Sequence, residues 1–252
     1  MDLGLKGKTV LVTGGAGGIG FGCAKVLAGE GCNIILADIN DELAAERKQE
    51  LIDQYKVKAW AVNINVMDAE CIKKAWAQIA GEIGKVDILV NNAGGRLNRG
   101  PINELTDEEW MKTFDLTIHS AFLMSKEFAN QYTGENGFGS IVNMTSKSAI
   151  MSSSSGNSHY ASAKAAVIGM TRAMAKDLYD KRIRCNCVAP GYVKTEKTYP
   201  DGDPRTTEKK KILLTHEFAV PEDIGNVVAF LCSDKAHQMI GCVVDVTGGT
   251  LI

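Results

Sequence analysis

Two periodicities alternate along this chain. Short β-branched runs at 9–13, 33–38, 58–63, 88–91, 140–145, 183–188 and 243–246 predict strands, and longer amphipathic stretches between them predict helices at 18–29, 41–55, 68–83, 107–132, 158–179 and 221–233. Some strand runs are apolar throughout, as in Ile34-Ile35-Leu36-Ala37 and Ile88-Leu89-Val90. Such runs are expected where helices cover both faces of a sheet, because no side of the strand then meets water. Ser, Asp or Pro opens many of the helical stretches and supplies a cap or a first-turn residue. The repeated strand-helix-strand order predicts an α/β, doubly wound parallel sheet. No internal repeat and no Pro/Ser-rich linker interrupts it, so one domain spanning 1–252 is expected. The serine run at 152–155 reads as a surface turn or as a polar wall of a substrate pocket.

Composition narrows the class. Of 252 residues, 45% are hydrophobic and 23% charged, which is ordinary for a globular protein and leaves no disordered, fibrous or membrane-spanning signature. A net charge of -2 provides no global field for nucleic acid or for an anionic membrane surface. Met1 to Lys8 carry no long apolar run, so neither a signal nor a transit peptide is expected. The seven cysteines are odd in number and contain no Cys-x-x-Cys pair, which argues against a disulfide framework and a structural zinc site. Cys185 and Cys187 are expected to be buried free thiols on one strand face. A reducing, cytoplasmic setting and no metal follow as expectations.

The first strand runs into Thr13-Gly14-Gly15-Ala16-Gly17-Gly18-Ile19-Gly20 and then a helix. Glycines in that context allow a tight turn and let backbone N–H groups approach a pyrophosphate at the helix N-terminus, as in a Rossmann-type nucleotide site. Asp38 closes the second strand 18 residues after Gly20, close to the spacing at which an acid bonds the adenosine ribose. A carboxylate there repels the 2′-phosphate of NADP, and neither Gly17 nor Ile39 offsets it, so NAD is the expected cofactor. The competing reading is that Asp38 merely caps the following helix, although Asp41 is also available for that. Tyr160 and Lys164 are four apart in a helical segment and share one face. An ammonium beside a phenol is expected to lower the phenol pKa, which eases proton exchange with an alkoxide.

Together these motifs resemble the short-chain dehydrogenase/reductase family along nearly the whole chain. The resemblance rests on the loop at 13–20, Asn91-Asn92-Ala93-Gly94, the strand ending in Thr145-Ser146, Tyr160 with Lys164, Pro190-Gly191-Tyr192-Val193-Lys194-Thr195, and Gly248-Gly249. It implies a seven-stranded sheet in the order 3-2-1-4-5-6-7, a homotetramer, and hydride transfer between nicotinamide and an alcohol or ketone carbon. It further implies that Tyr160 is the general acid/base, that Ser146 bonds the substrate oxygen, and that Lys164 holds the nicotinamide ribose and tunes Tyr160. Gly14, Gly18 and Ile19, with Gly20, would line the pyrophosphate. Asn92, Ala93 and Gly94 would border the cofactor's middle, and Pro190, Gly191, Val193 and Thr195 the nicotinamide.

Three departures from the family pattern stand out. Counting seven on from Trp110 and five back from Phe122 leads to Thr117, where the family commonly has an Asn whose main-chain carbonyl holds a relay water. Thr keeps the carbonyl, so activity with a modest loss is expected. Asn65-Val66 replaces the family's Asp-Val beside the adenine, and an amide oxygen still accepts a proton there. The Ser146 to Tyr160 spacing is one residue longer than the family leads one to expect, with the extra residue in the serine run.

The substrate side is polar. Arg96, Arg99 and Lys147, with Tyr192, are the candidate substrate residues, and guanidinium forks suit a carboxylate or phosphate, hence a hydroxy acid or sugar derivative. The segment at about 192–218 reads as a small lid with a helix at 206–218, whose acids nearly cancel its Lys194, Lys197, Arg205 and Lys209 to Lys211. A hydrophobic, steroid-like alcohol stays open as substrate. So does a catalytically idle NAD-binding regulatory protein; a sugar epimerase or dehydratase would generally need a longer C-terminal domain.

Overall fold

The computed structural model describes the chain except residues 136, 152–155, 197, 200–203 and 251–252 and the side chains of 204 and 205. Seven parallel strands form one sheet: β1 Thr9–Thr13, β2 Asn33–Asp38, β3 Ala59–Asn63, β4 Ile88–Asn91, β5 Gly139–Met144, β6 Ile183–Pro190 and β7 Val243–Val246. Their order is β3-β2-β1-β4-β5-β6-β7, the one the family resemblance implies. Each strand lies within two residues of its expected bounds. β1 sits in the middle, with Val10, Leu11 and Val12 in register against Ile34, Ile35 and Leu36 on one side and Ile88, Leu89 and Val90 on the other.

Because successive side chains of a strand point to opposite faces, this apolar sheet builds two cores. Val10, Val12, Ile34, Leu36, Ile88 and Val90 face α1 (Gly18–Gly29), α2 (Asp41–Tyr55) and α8 (Pro221–Cys232), where Leu27, Leu51 and Val228 complete the packing. Leu11, Ile35, Leu89 and Ile141 face the opposite layer, which includes α3 (Ala69–Gln78) and α5 (Ser120–Gln131) with Trp76, Met124 and Phe128. Burying each such side chain contributes about 1.5–3 kcal/mol, so a Leu11→Ala cavity at 0% exposure costs about 2–5 kcal/mol. α1 and α8 touch through glycines: a side chain on Gly22 would overlap Pro221, and one on Gly225 would lie 2.9 Å from the Gly22 carbonyl.

The helices carry local stop and start signals. Asn40 caps α2 by accepting from the Leu43 N–H at 3.1 Å, and Asp68 caps α3 through the Glu70 and Cys71 N–H groups. Thr106 and Glu109 form a reciprocal capping box at the start of α4 (Asp107–Phe114). The stretch expected as one helix at 107–132 is instead α4 and α5 separated by a π-helical turn, Asp115–His119. There Ser120 Oγ bonds the Leu116 carbonyl at 2.7 Å, drawing that carbonyl away from the regular helical ladder. A second π turn, Ile79–Ile83, ends α3 at Gly84. Residues 158–177 form α6 (Ser158–Asp177), and the expected lid helix is a shorter α7, Pro204–Lys211. The serine run and Lys197 lie outside the described residues, as does the side chain of Arg205. All seven cysteines are free, five of them buried, and burial pushes the Cys185 thiol up to about 12. No helix among the described residues is long and apolar enough to cross a membrane.

Candidate active site

All seven parallel strands end on the same edge of the sheet, where the loops after β1, β4, β5 and β6 enclose a cavity of about 210 Å³. Its cofactor end is built from backbone. The Thr13 hydroxyl accepts from the N–H groups of Asn92 and Ala93 at 3.0 and 2.9 Å, and the Asn92 amide donates to the carbonyls of Thr13 and Gly14 at 3.0 and 3.1 Å. These bonds pin the glycine loop to the end of β4. Gly14 has a φ of +59°, and a Cβ at Gly20 would overlap the Gly14 carbonyl and lie 2.5 Å from the Asn92 amide nitrogen. No other residue type fits there. α1 starts after Gly17 with no side-chain cap, leaving the free N–H groups of its first turn for an anion.

Asp38 stands beside that loop, its two oxygens accepting from the Ala16 and Asn40 N–H groups at 3.0 Å each. It does not cap α2, which Asn40 does. Ile39 beside it is 67% exposed, and the guanidinium of Arg47 is turned to Glu50 at 2.7 Å and lies over the Phe21 ring. Asn65 and Val66 lie away from the cavity lining: the Asn65 amide oxygen accepts from the Met67 N–H, and Val66 packs into the core.

At the other end, Ser146, Tyr160 and Lys164 line the cavity together. Ser146 follows β5 and accepts the Ser148 N–H at 3.2 Å, which turns the chain and presents its hydroxyl. Tyr160 and Lys164 lie one turn apart on α6, with the ammonium 5.9 Å from the phenol ring centre. Lys164 is buried and donates to the Met144 carbonyl at 2.7 Å, while its own carbonyl accepts from the Thr145 hydroxyl at 2.7 Å. Burial lowers its pKa to about 8. Burial pushes the Tyr160 phenol up, and the Ser146 hydroxyl and the Arg96 guanidinium pull it back down. The downward pull expected from Lys164 is thus exerted by Ser146 and Arg96, because the ammonium is turned to the backbone of β5.

Thr117 lies in the π turn with its hydroxyl buried and unpartnered. A methyl group on Gly94 would sit 3.2 Å from the Lys164 ammonium and 3.8 Å from that hydroxyl, so the two groups flank one spot. Of the other sequence candidates, Ile19, Asn92, Gly94, Pro190, Gly191, Val193 and Thr195 line the cavity, whereas Arg96, Arg99, Lys147 and Tyr192 are not part of its lining. Sequence reasoning missed Thr198 and Tyr199 in the lining, and the buried chain Ser125–Asn91–Asn143–Thr171, whose links of 2.8–2.9 Å tie β4, β5, α5 and α6 beneath the site. Two amides inside otherwise apolar strands were the available signal, since a buried polar group calls for a partner.

A family model described as enoyl-(acyl carrier protein) reductase matches residues 14–250. The chain is a short-chain dehydrogenase/reductase. It is 32% identical over 250 residues to the 3-oxoacyl-[acyl-carrier-protein] reductase FabG of Aquifex aeolicus, covering 99% of each chain. It is 33% identical to oxidoreductase UcpA of Salmonella typhimurium, over 98% of this chain and 96% of that one. Among solved structures, L-sorbose reductase from Gluconobacter frateurii, complexed with NADPH and L-sorbose, superposes with a TM-score of 0.92 at 28% identity, covering 100% of this chain and 99% of that one. A 7α-hydroxysteroid dehydrogenase complexed with NADH and 7-oxo glycochenodeoxycholic acid gives 0.91 at 32% identity, covering 98% and 96%. As a member of this family the chain is an oxidoreductase.

Proposed function

We propose that this protein moves a hydride between NAD(H) and the carbon of a secondary alcohol or ketone. The observation that carries the reading is the convergence of Ser146, Tyr160 and Lys164 on one cavity whose other end is a glycine loop opening a helix. The residues present fit a dinucleotide: the first turn of α1 is uncapped, and the buried Lys164 makes one hydrogen bond, to Met144, although its ammonium has three donors. Gly14, Gly18, Ile19 and Gly20 would hold the pyrophosphate. Asp38 would hold the adenosine ribose, Asn92 and Lys164 the nicotinamide side, and Val193 and Thr195 the carboxamide. When bound, the nicotinamide supplies the hydride acceptor or donor.

The remaining chemistry belongs to the chain. Ser146 holds the substrate oxygen by a hydrogen bond, and Tyr160 takes or gives the proton on that oxygen, since its phenol meets Ser146 in the same cavity. Lys164 supplies positive charge one helical turn away, and Thr117 would lend its main-chain carbonyl to a water beside that ammonium. NAD is favoured over NADP because a 2′-phosphate would approach the Asp38 carboxylate, which no cation pairs with among the described residues. The named neighbours include complexes with either cofactor. Turnover followed at the reduced-nicotinamide absorbance, with NAD and NADP side by side and a panel of secondary alcohols, tests the reading. NAD is expected to be used more efficiently, and Tyr160→Phe to lose about 10²–10⁴ in kcat. No absorbance change with any alcohol, or an unaffected Tyr160→Phe variant, would overturn it.

A further inference from the structure

We infer that the substrate is a ketone or alcohol that also carries a carboxylate, and that Arg96 is the group that holds it; this rests on the catalytic reading of Ser146 and Tyr160. Arg96 lies in the turn after Asn92-Ala93-Gly94, and its Nη1 donates to the side chain of Asn157 at 3.3 Å. Asn157 is 2% exposed and immediately precedes α6, three residues before Tyr160. One anchored hydrogen bond therefore sets the guanidinium beside the catalytic phenol. The rest of its donor fork makes no other hydrogen bond among the described residues.

The charge balance around Arg96 is one-sided. The groups whose charge acts on it are Arg99, Tyr160 and Tyr199, and those acting on Tyr199 are Tyr192, Tyr160 and the same two arginines. No carboxylate among the described residues pairs with Arg96 or Arg99. Two other arginines of this chain are satisfied: Arg47 pairs with Glu50, and Arg184 bonds four backbone carbonyls. The buried Lys147 next to Ser146 holds its ammonium 3.8 Å from the Tyr192 ring centre, and the Lys209 ammonium lies 4.6 Å from that of Tyr199. Tyr199 itself lines the cavity.

Arg96 and Arg99 are both exposed at the mouth of their turn, open to an incoming anion, and a guanidinium fork matches a carboxylate in a bidentate manner. A small keto acid whose carbonyl oxygen lies at Ser146 and Tyr160 would place its carboxylate at this positive rim. An uncharged ester or thioester of the same acid would leave both arginines without a counter-charge.

The test compares reduction of pyruvate, acetoacetate and levulinate with that of their methyl esters, using the NAD-dependent enzyme and the variants Arg96→Gln and Arg96→Lys. At least one acid is expected to exceed its ester by about tenfold in kcat/KM, and Arg96→Gln to lower the acid's value about tenfold more than the ester's, with Arg96→Lys between them. Equal rates for acid and ester, or an equal loss on both in Arg96→Gln, would overturn the carboxylate site while leaving the hydride-transfer reading intact. Should none of the six compounds be reduced, hydride transfer to small ketones fails, and binding to the NAD-loaded protein still decides the carboxylate site. Thermal stabilisation by malonate that exceeds that by dimethyl malonate and is lost in Arg96→Gln supports the site, and equal shifts reject it.

Discussion

At the glycine-loop end of the cleft, Thr13, Asn92 and Asp38 each give their side chains to backbone groups, so that end keeps its shape whatever occupies it. At the far end, Lys147 and Lys209 rest on the faces of tyrosine rings, and Arg96 touches a single amide. Several bonds from side chain to backbone fix direction as well as distance, whereas the single hydrogen bond of Arg96 leaves its donor fork room to turn. The contrast shows how one chain separates a constant task from a variable one. The first end is built to be indifferent to change, and the second is built to be re-aimed.

The sharpest way to break the constant end is Gly20→Ala. Its Cβ collides with the Gly14 carbonyl and crowds the Asn92 amide, so dinucleotide affinity measured by titration is expected to fall by about 100-fold or more, with a loss of about 1–3 kcal/mol in stability. An unchanged dissociation constant would show that the loop is less fixed than its hydrogen bonds imply. Next in size, Asp38→Ala should shift the ratio of NAD to NADP efficiency toward NADP by about 10- to 100-fold, the effect of removing one close charge. A ratio that stays put would transfer the discrimination to another residue.

Lys164 joins the two ends, and its pH behaviour sharpens the comparison. Its pKa is lowered to about 8 in the folded chain from 10.5, so the cost of burying its charge is fully present below pH 8. That cost fades as pH rises toward 10.5, because the unfolded chain then holds the extra proton. Lys164→Met removes the cost, and the stability it gains over the parent, on the order of 3 kcal/mol from this source, should shrink between pH 8 and 10.5. Denaturant unfolding at pH 7 and pH 10 checks this, and a constant gap would contradict a buried, desolvated ammonium. The smallest effect is expected at Thr117: Thr117→Asn should alter turnover by no more than about threefold, since the main-chain carbonyl is kept in either case. Abolished turnover in a folded variant would refute that.

The elements that proved legible were those whose signal is local. The apolar run of Ile34 to Ala37 announces a strand buried on both sides, and the glycine loop between β1 and α1 announces a phosphate-binding turn. The π turn around Thr117 was not legible, because nothing in Asp115–His119 breaks helical periodicity and the widening depends on how Ser120 bonds backward. Thr198 and Tyr199 were missed for a related reason: they reach the cavity through a turn in which the Thr198 hydroxyl bonds the Val193 carbonyl at 2.7 Å, a contact no periodicity predicts. The cationic candidates could be read by charge, but which of them the fold would leave without a counter-ion could not, since that depends on partners far apart in sequence.

The seat of α1 on α8 carries a consequence for synthesis. The helix that opens at the glycine loop is held by Pro221 and Gly225, so it reaches its final position only after residues made some 200 positions later have emerged. At translation rates of about 5–20 residues per second, the nascent β1–α1 segment waits roughly ten to forty seconds for that support. A ribosome-bound chain cut short of Pro221 should therefore fail to retain the coenzyme, even though every glycine of its loop has already been made.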